Sequence, residues 1–107
     1  MSTKKDFKLF HAKIGEWQER YIALQLEDYK AILEKPQNPS ATFHELEKRM
    51  KEDRTKYGVS FKGIRPSELT VTLMIMLKEG SISFEDLEDF SEELKDTIRK
   101  FMESRGI

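Results

Sequence analysis

The residues best able to do chemistry here are a run of acids and two histidines. Between Ser83 and Asp96 stand Glu85, Asp86, Glu88, Asp89, Glu92, Glu93 and Asp96 against Lys95 alone, a local charge of −6. Carboxylates at that density could gather round a divalent cation or trade protons. A calcium loop, however, needs oxygens at fixed positions about a sharp glycine turn. No glycine lies within this run, and Phe84, Leu87 and Phe90 take the interleaved positions. His11 and His44 each lack a second histidine three or four residues away, the spacing of a helical zinc pair. There is no cysteine, hence neither disulfide nor thiolate site. No Gly-x-Ser-x-Gly elbow and no phosphate-cradling glycine loop is present. A site assembled from scattered Glu, Tyr and Arg would leave no local trace. We expect no metal, no cofactor and no enzyme.

The opposite charge collects upstream. Residues 47–66 carry Lys48, Arg49, Lys51, Arg54, Lys56, Lys62 and Arg65 against three acids, a local +4. Phosphate contacts need such clustering, and stacking on single strands needs exposed aromatics, for which Tyr57 and Phe61 are at hand. Yet Glu45, Glu47 and Glu52 stand four residues before Arg49, Lys51 and Lys56, an order that favours pairing along a helix and weakens the field. The chain as a whole is near neutral, with a net charge of −1 over 107 residues, and gives no general pull toward nucleic acid or anionic membrane. Two partner surfaces are expected: a basic one of Lys48, Arg49, Lys51, Arg54 and Lys56, and an acidic one of Glu88, Asp89, Glu92 and Glu93. A nucleic-acid-binding regulator using the basic segment is the alternative reading.

The elements that would carry these groups are helical. Phe7, Phe10, Ile14, Trp17, Tyr21 and Leu24 repeat at three and four residues, which predicts a helix over about 4–34 with a narrow apolar seam. Ile22, Leu26, Tyr29 and Leu33 form a second stripe that broadens its C-terminal half into a core-type face. Pro36 and Pro39 stop it. Thr42 with Glu45 reads as a capping box for a second helix over 43–57, with Ser40 as an alternative cap and Gly58 as the stop. Val59 to Ile64 alternates too briefly for a sheet and reads as a connector docking Val59, Phe61 and Ile64. Ser67 caps a third helix over 68–79, apolar nearly all round and therefore the most buried, ended by Gly80. Ser83 with Asp86, and Ile82 with Leu87, start a fourth over 84–104 as cap and staple. So most of the acid run has a structural account: Glu85 and Asp86 suit a helix start, as Arg99, Lys100 and Arg105 suit its end. A helix opening on Glu85, Asp86, Glu88 and Asp89 would be repelled by phosphates, so it is not a DNA recognition helix.

Two resemblances follow from these strings. Leu73-x-x-x-Leu77-x-x-Gly80-x-Ile82-Ser83-x-x-Asp86-Leu87 resembles the helical hairpin of SHOCT-type modules over about 25 residues. Trp17, the string Phe43-x-x-Leu46-Glu47-Lys48-Arg49-x-x-x-Asp53-x-x-x-x-Gly58-Val59, and Asp86-Leu87-x-x-Phe90-Ser91-x-x-Leu94-Lys95 look like small uncharacterised proteins of low-GC Gram-positive bacteria and their mobile elements. The resemblance implies a bacterial cytoplasmic setting and assigns no site residue.

The expected architecture is a single all-α domain of four helices. A first helix of about 45 Å exceeds the roughly 34 Å diameter of a compact domain of this length. The expected overhang carries Phe7, Phe10, Ile14 and Trp17, which a second copy would shelter in a homodimer. A break at Gly15 is the rival arrangement. No apolar run approaches the ~20 residues that span a bilayer, and the N-terminal residues lack the apolar run of a signal peptide. We therefore expect a soluble, cytoplasmic protein that acts by association, with no membrane partner.

Overall fold

The three-and-four spacing of Phe7 to Trp17 folds as one unbroken helix, α1 (Lys4–Glu34), in the computed structural model, which describes residues 3–104. Gly15 does not interrupt it. Thr3 opens it by accepting the Asp6 amide, while Asp6 accepts the Thr3 amide in return. Helix α2 (Pro39–Asp53) begins earlier than the expected residue 43. Asn38, rather than Thr42 or Ser40, is its cap, accepting from the Ala41 amide at 2.9 Å. Pro39 is no breaker here, because the first helical position needs no amide proton. The helix ends at Asp53 rather than Tyr57, and residues 54–60 leave in tight turns.

Of the connector residues expected to dock, Phe61 and Ile64 pack against the core, joined by Tyr57 in place of Val59. A 3-10 turn, Pro66–Glu68, leads into α3 (Leu69–Glu79), where Ser67 does not act as the cap. Gly80 ends α3 in the left-handed region, at φ 83°. Helix α3 is not buried all round: Leu69, Thr72, Leu73 and Met76 face the core, while Val71 and Ile75 face water. The expected fourth helix is split. Phe84–Leu87 is a 3-10 turn, and α4 runs only over Glu92–Ser104. The split falls at Ser91, whose hydroxyl accepts the Leu94 amide and so caps α4 anew. Ile82 and Leu87 are both buried, and Asp86 accepts the Ser83 amide at 2.8 Å, as the helix-start reading requires.

Among the described residues there is no β-strand, and no helix is long and apolar enough to cross a membrane. The core joins the N-terminal half of α1 to α3, the 3-10 turn and α4. Trp17 stacks on Phe90 at 6.1 Å, and Phe10 meets Phe61 edge-on at 5.3 Å. Arg20 grips Asp86 with two hydrogen bonds of 2.9 and 2.7 Å, fixing the turn to α1. None of this core comes from residues 22–56. The molecule measures 52 × 29 × 20 Å with a radius of gyration of 16.4 Å, against about 13 Å for a compact domain of this size. So α1 does overhang its globule, but at its C-terminal half, where α2 folds back along it.

Candidate interaction surface

A helical hairpin that stands away from the core needs its own glue, and here, beside the buried Ile32, that glue is polar. Asp53, at the end of α2, is only 2% exposed. Its carboxylate accepts from the Tyr29 hydroxyl at 2.5 Å and from Arg49 Nε at 3.2 Å, with Lys56 Nζ at 3.3 Å. Arg49 reaches on across the hairpin to Asp28 at 2.7 Å and to the side-chain oxygen of buried Gln25 at 2.8 Å. These bonds satisfy the buried carboxylate, which unpaired would cost several kcal/mol. They also shift the groups involved. Burial, then the bond to Asp53, pushes the Tyr29 hydroxyl up to about 12. The Asp28 carboxylate, ahead of Asp53, holds Arg49 more firmly protonated than usual. At the far end Lys35 pairs with Glu45 at 2.8 Å, closing the loop between the helices.

With the inner face largely polar, most apolar side chains of the hairpin are left outside. Phe43 is 67% exposed, Leu33 61%, Leu26 58% and Met50 49%. Leu33, Phe43 and Met50 share one surface. Leu33, Thr42, Phe43 and Leu46 line one shallow hollow across the two helices, and Phe43, Leu46 and Met50 line the next along α2. Leu26 lies two turns before Leu33 on the same stripe of α1.

This is not where the sequence reading put the association surface. Phe10, Ile14 and Trp17 are sealed inside the single chain, Trp17 at 3% exposure, and Phe7 packs against the same core. They are therefore not the exposed seam expected of them; α3, α4 and the connector of their own chain cover it. The basic surface is divided. Lys48, Lys51 and Arg54 are exposed, as is Lys62, whereas Arg49 and Lys56 are spent on the Asp53 cluster. Of the pairs expected along α2, Glu45 turns instead to Lys35, while Arg49 pairs with Asp28 across the hairpin and with the buried Asp53 one turn on. The acidic surface is exposed at Glu88, Asp89, Glu92 and Glu93, but Lys13 lies 3.5 Å from Asp89 and Lys95 2.9 Å from Glu92.

Leu26, Leu33, Phe43, Leu46 and Met50 are the residues that sequence reasoning did not assign to a partner. For Leu26 and Leu33 the signal was visible as the second stripe of α1, which reads as a core-type face. His11 lies against the rings of Phe7 and Phe10, and His44 beside Phe43. Among the described residues no group of three His, Asp or Glu side chains is placed to hold a metal ion. No family model, no curated protein and no solved structure matches the chain.

Proposed function

We propose that this chain is a non-enzymatic interaction or regulatory protein acting as a homodimer, and that it associates through the outer face of the α1–α2 hairpin. The observation that carries this reading is the contiguous exposure of Leu33, Phe43 and Met50, with Leu26 exposed on the same stripe of α1, on an arm that shares none of the main core. Each of these side chains forgoes about 1–2 kcal/mol of burial while it stays wet. Contiguous apolar surface of this kind marks an association site in a soluble protein. A second hairpin laid on the first completes a four-helix bundle, the usual solution for two helices that cannot bury a face alone. The setting we propose is the bacterial cytoplasm, following the resemblance of the sequence.

Light scattering after size exclusion tests the reading. The wild-type chain is expected at twice its monomer mass at micromolar concentration, and the variant Phe43→Glu, Met50→Glu at monomer mass with its helicity unchanged. A wild-type monomer throughout that range counts against it.

A second reading, nucleic-acid binding, is favoured by one observation: Lys48, Lys51, Arg54 and Lys62 have no acidic partner among the described residues. It predicts a mobility shift at low salt that fades as salt rises. No shift at low salt removes it.

A further inference from the structure

The groove on α2 is rimmed by charges that the chain itself leaves unmatched. Phe43, Leu46, Glu47, Met50, Lys51 and Arg54 line a hollow of about 380 Å³. Glu47 and Lys51 stand one turn apart, the spacing at which such residues pair, yet neither they nor Arg54 make an ion pair with any described residue. Along the helix the order is acid first, then two bases, on either side of an apolar centre.

That order decides how a second copy can lie on the first. Parallel helices in register would set Glu47 on Glu47 and Lys51 on Lys51, repelling at both places. Turned end for end about a point midway between Glu47 and Lys51, the same ridge sets its acid beside the bases of its twin, twice, as a two-fold axis requires. We infer that two copies of this chain meet antiparallel along α2, Glu47 of each facing Lys51 and Arg54 of the other. The inference rests on the homodimer reading above and adds the register and the residues that set it. The apolar centre supplies adhesion; the charges supply orientation and reject misaligned copies.

Charge exchange tests it, because all three residues are exposed and their replacement leaves the fold intact. Glu47→Lys alone sets like charges face to face at both ends of the interface, and is expected to weaken self-association by about tenfold or more. The double variant Lys51→Glu, Arg54→Glu does the same with the opposite sign. Mixed in equal amounts, the two variants are expected to form a heterodimer as tight as the wild type, since each end then joins a base to an acid. Sedimentation equilibrium on the two variants and their mixture, with circular dichroism to check folding, reads all of this. A wild-type dimer that neither variant weakens, or variants that weaken it without recovery on mixing, overturns the register and leaves the dimer standing. A wild-type monomer up to about 100 μM overturns the dimer itself.

Discussion

Asp6 and Ser91, 85 residues apart, join the first turns of two helices through one carboxylate. The Ser91 amide donates to Asp6 Oδ1 at 2.8 Å and the Ser91 hydroxyl to Oδ2 at 2.6 Å. The same carboxylate accepts the Thr3 amide at 3.1 Å. One side chain therefore closes the start of α1 and fixes the residue that caps α4.

Acid should release this joint. Burial opposes the Asp6 charge, but the bonds from Ser91 and Thr3 outweigh it and hold the carboxyl below its ordinary value of 3.8. A carboxyl lowered by folding contributes its full stability above that ordinary value and loses it as the pH falls through the lowered one. Asp86 is lowered likewise: burial opposes its charge, and the bonds from Arg20 and the Ser83 amide outweigh it. We expect unfolding below about pH 4, and in Asp6→Asn a loss of about 1–3 kcal/mol at pH 7 together with a shallower acid limb. Chemical denaturation across pH 2–7 reads both; an unchanged acid limb would remove Asp6 from the account.

The hairpin should fail first in alkali. Tyr29 is raised from 10.0 to about 12 in the fold, so its neutral form is favoured by folding. Its contribution is complete below pH 10 and disappears as the pH climbs toward 12. Hydrogen exchange or tyrosine absorbance between pH 9 and 12 should show α2 loosening before the core. Tyr29→Phe should lose about 1–2 kcal/mol at neutral pH and abolish the alkaline step. Asp53→Ala should cost more, about 2–3 kcal/mol, because the Tyr29 hydroxyl, Arg49 Nε and Lys56 all lose their shared acceptor.

Gly58 is required by space rather than by backbone angle. A Cβ added there would lie 2.4 Å from Ser81 Cβ and 2.6 Å from the Tyr21 ring. The amide of Gly58 donates to Glu79 at 2.9 Å, and Ser81 donates its hydroxyl to that same carboxylate at 2.8 Å, so Gly58 and Ser81 are held together and cannot easily part. Gly58→Ala should cost about 1–3 kcal/mol by thermal denaturation. A neutral result would mean the connector shifts freely.

Trp17→Asp separates two accounts of α1. Were its seam a contact between copies, the substitution would release folded monomers. With Trp17 stacked on Phe90 inside the chain, it should instead unfold the protein, at a cost of about 4 kcal/mol or more. Circular dichroism at the permissive temperature distinguishes the two.

The helices themselves were legible in the residues. The bounds of α1 were readable from the apolar stripe and the prolines that follow it. The stop of α3 at Gly80 was equally plain, because few other residues take that left-handed turn. Local signals misled where two of them competed: Pro39 could break or begin a helix, and the stretch from Phe84 to Phe101 kept helical spacing straight through a bend. That bend needed Asp6, which local periodicity cannot see.

What the sequence determined alone was the content: all-helical, near neutral, without thiols, with two apolar stripes on one rod too long for its globule. Which stripe the globule covers is a matter of which segments return to it. Residues 57–104 came back onto the N-terminal half, where Leu73, Phe90 and Leu94 are buried in one cluster with Phe61 packed against it. The C-terminal half was left to α2, whose inward side carries Arg49 and Asp53, so polar bonds were satisfied inside and Phe43 and Met50 remained outside. Burial is shared among segments distant in the chain, and no periodicity along one helix states which of its faces will be met.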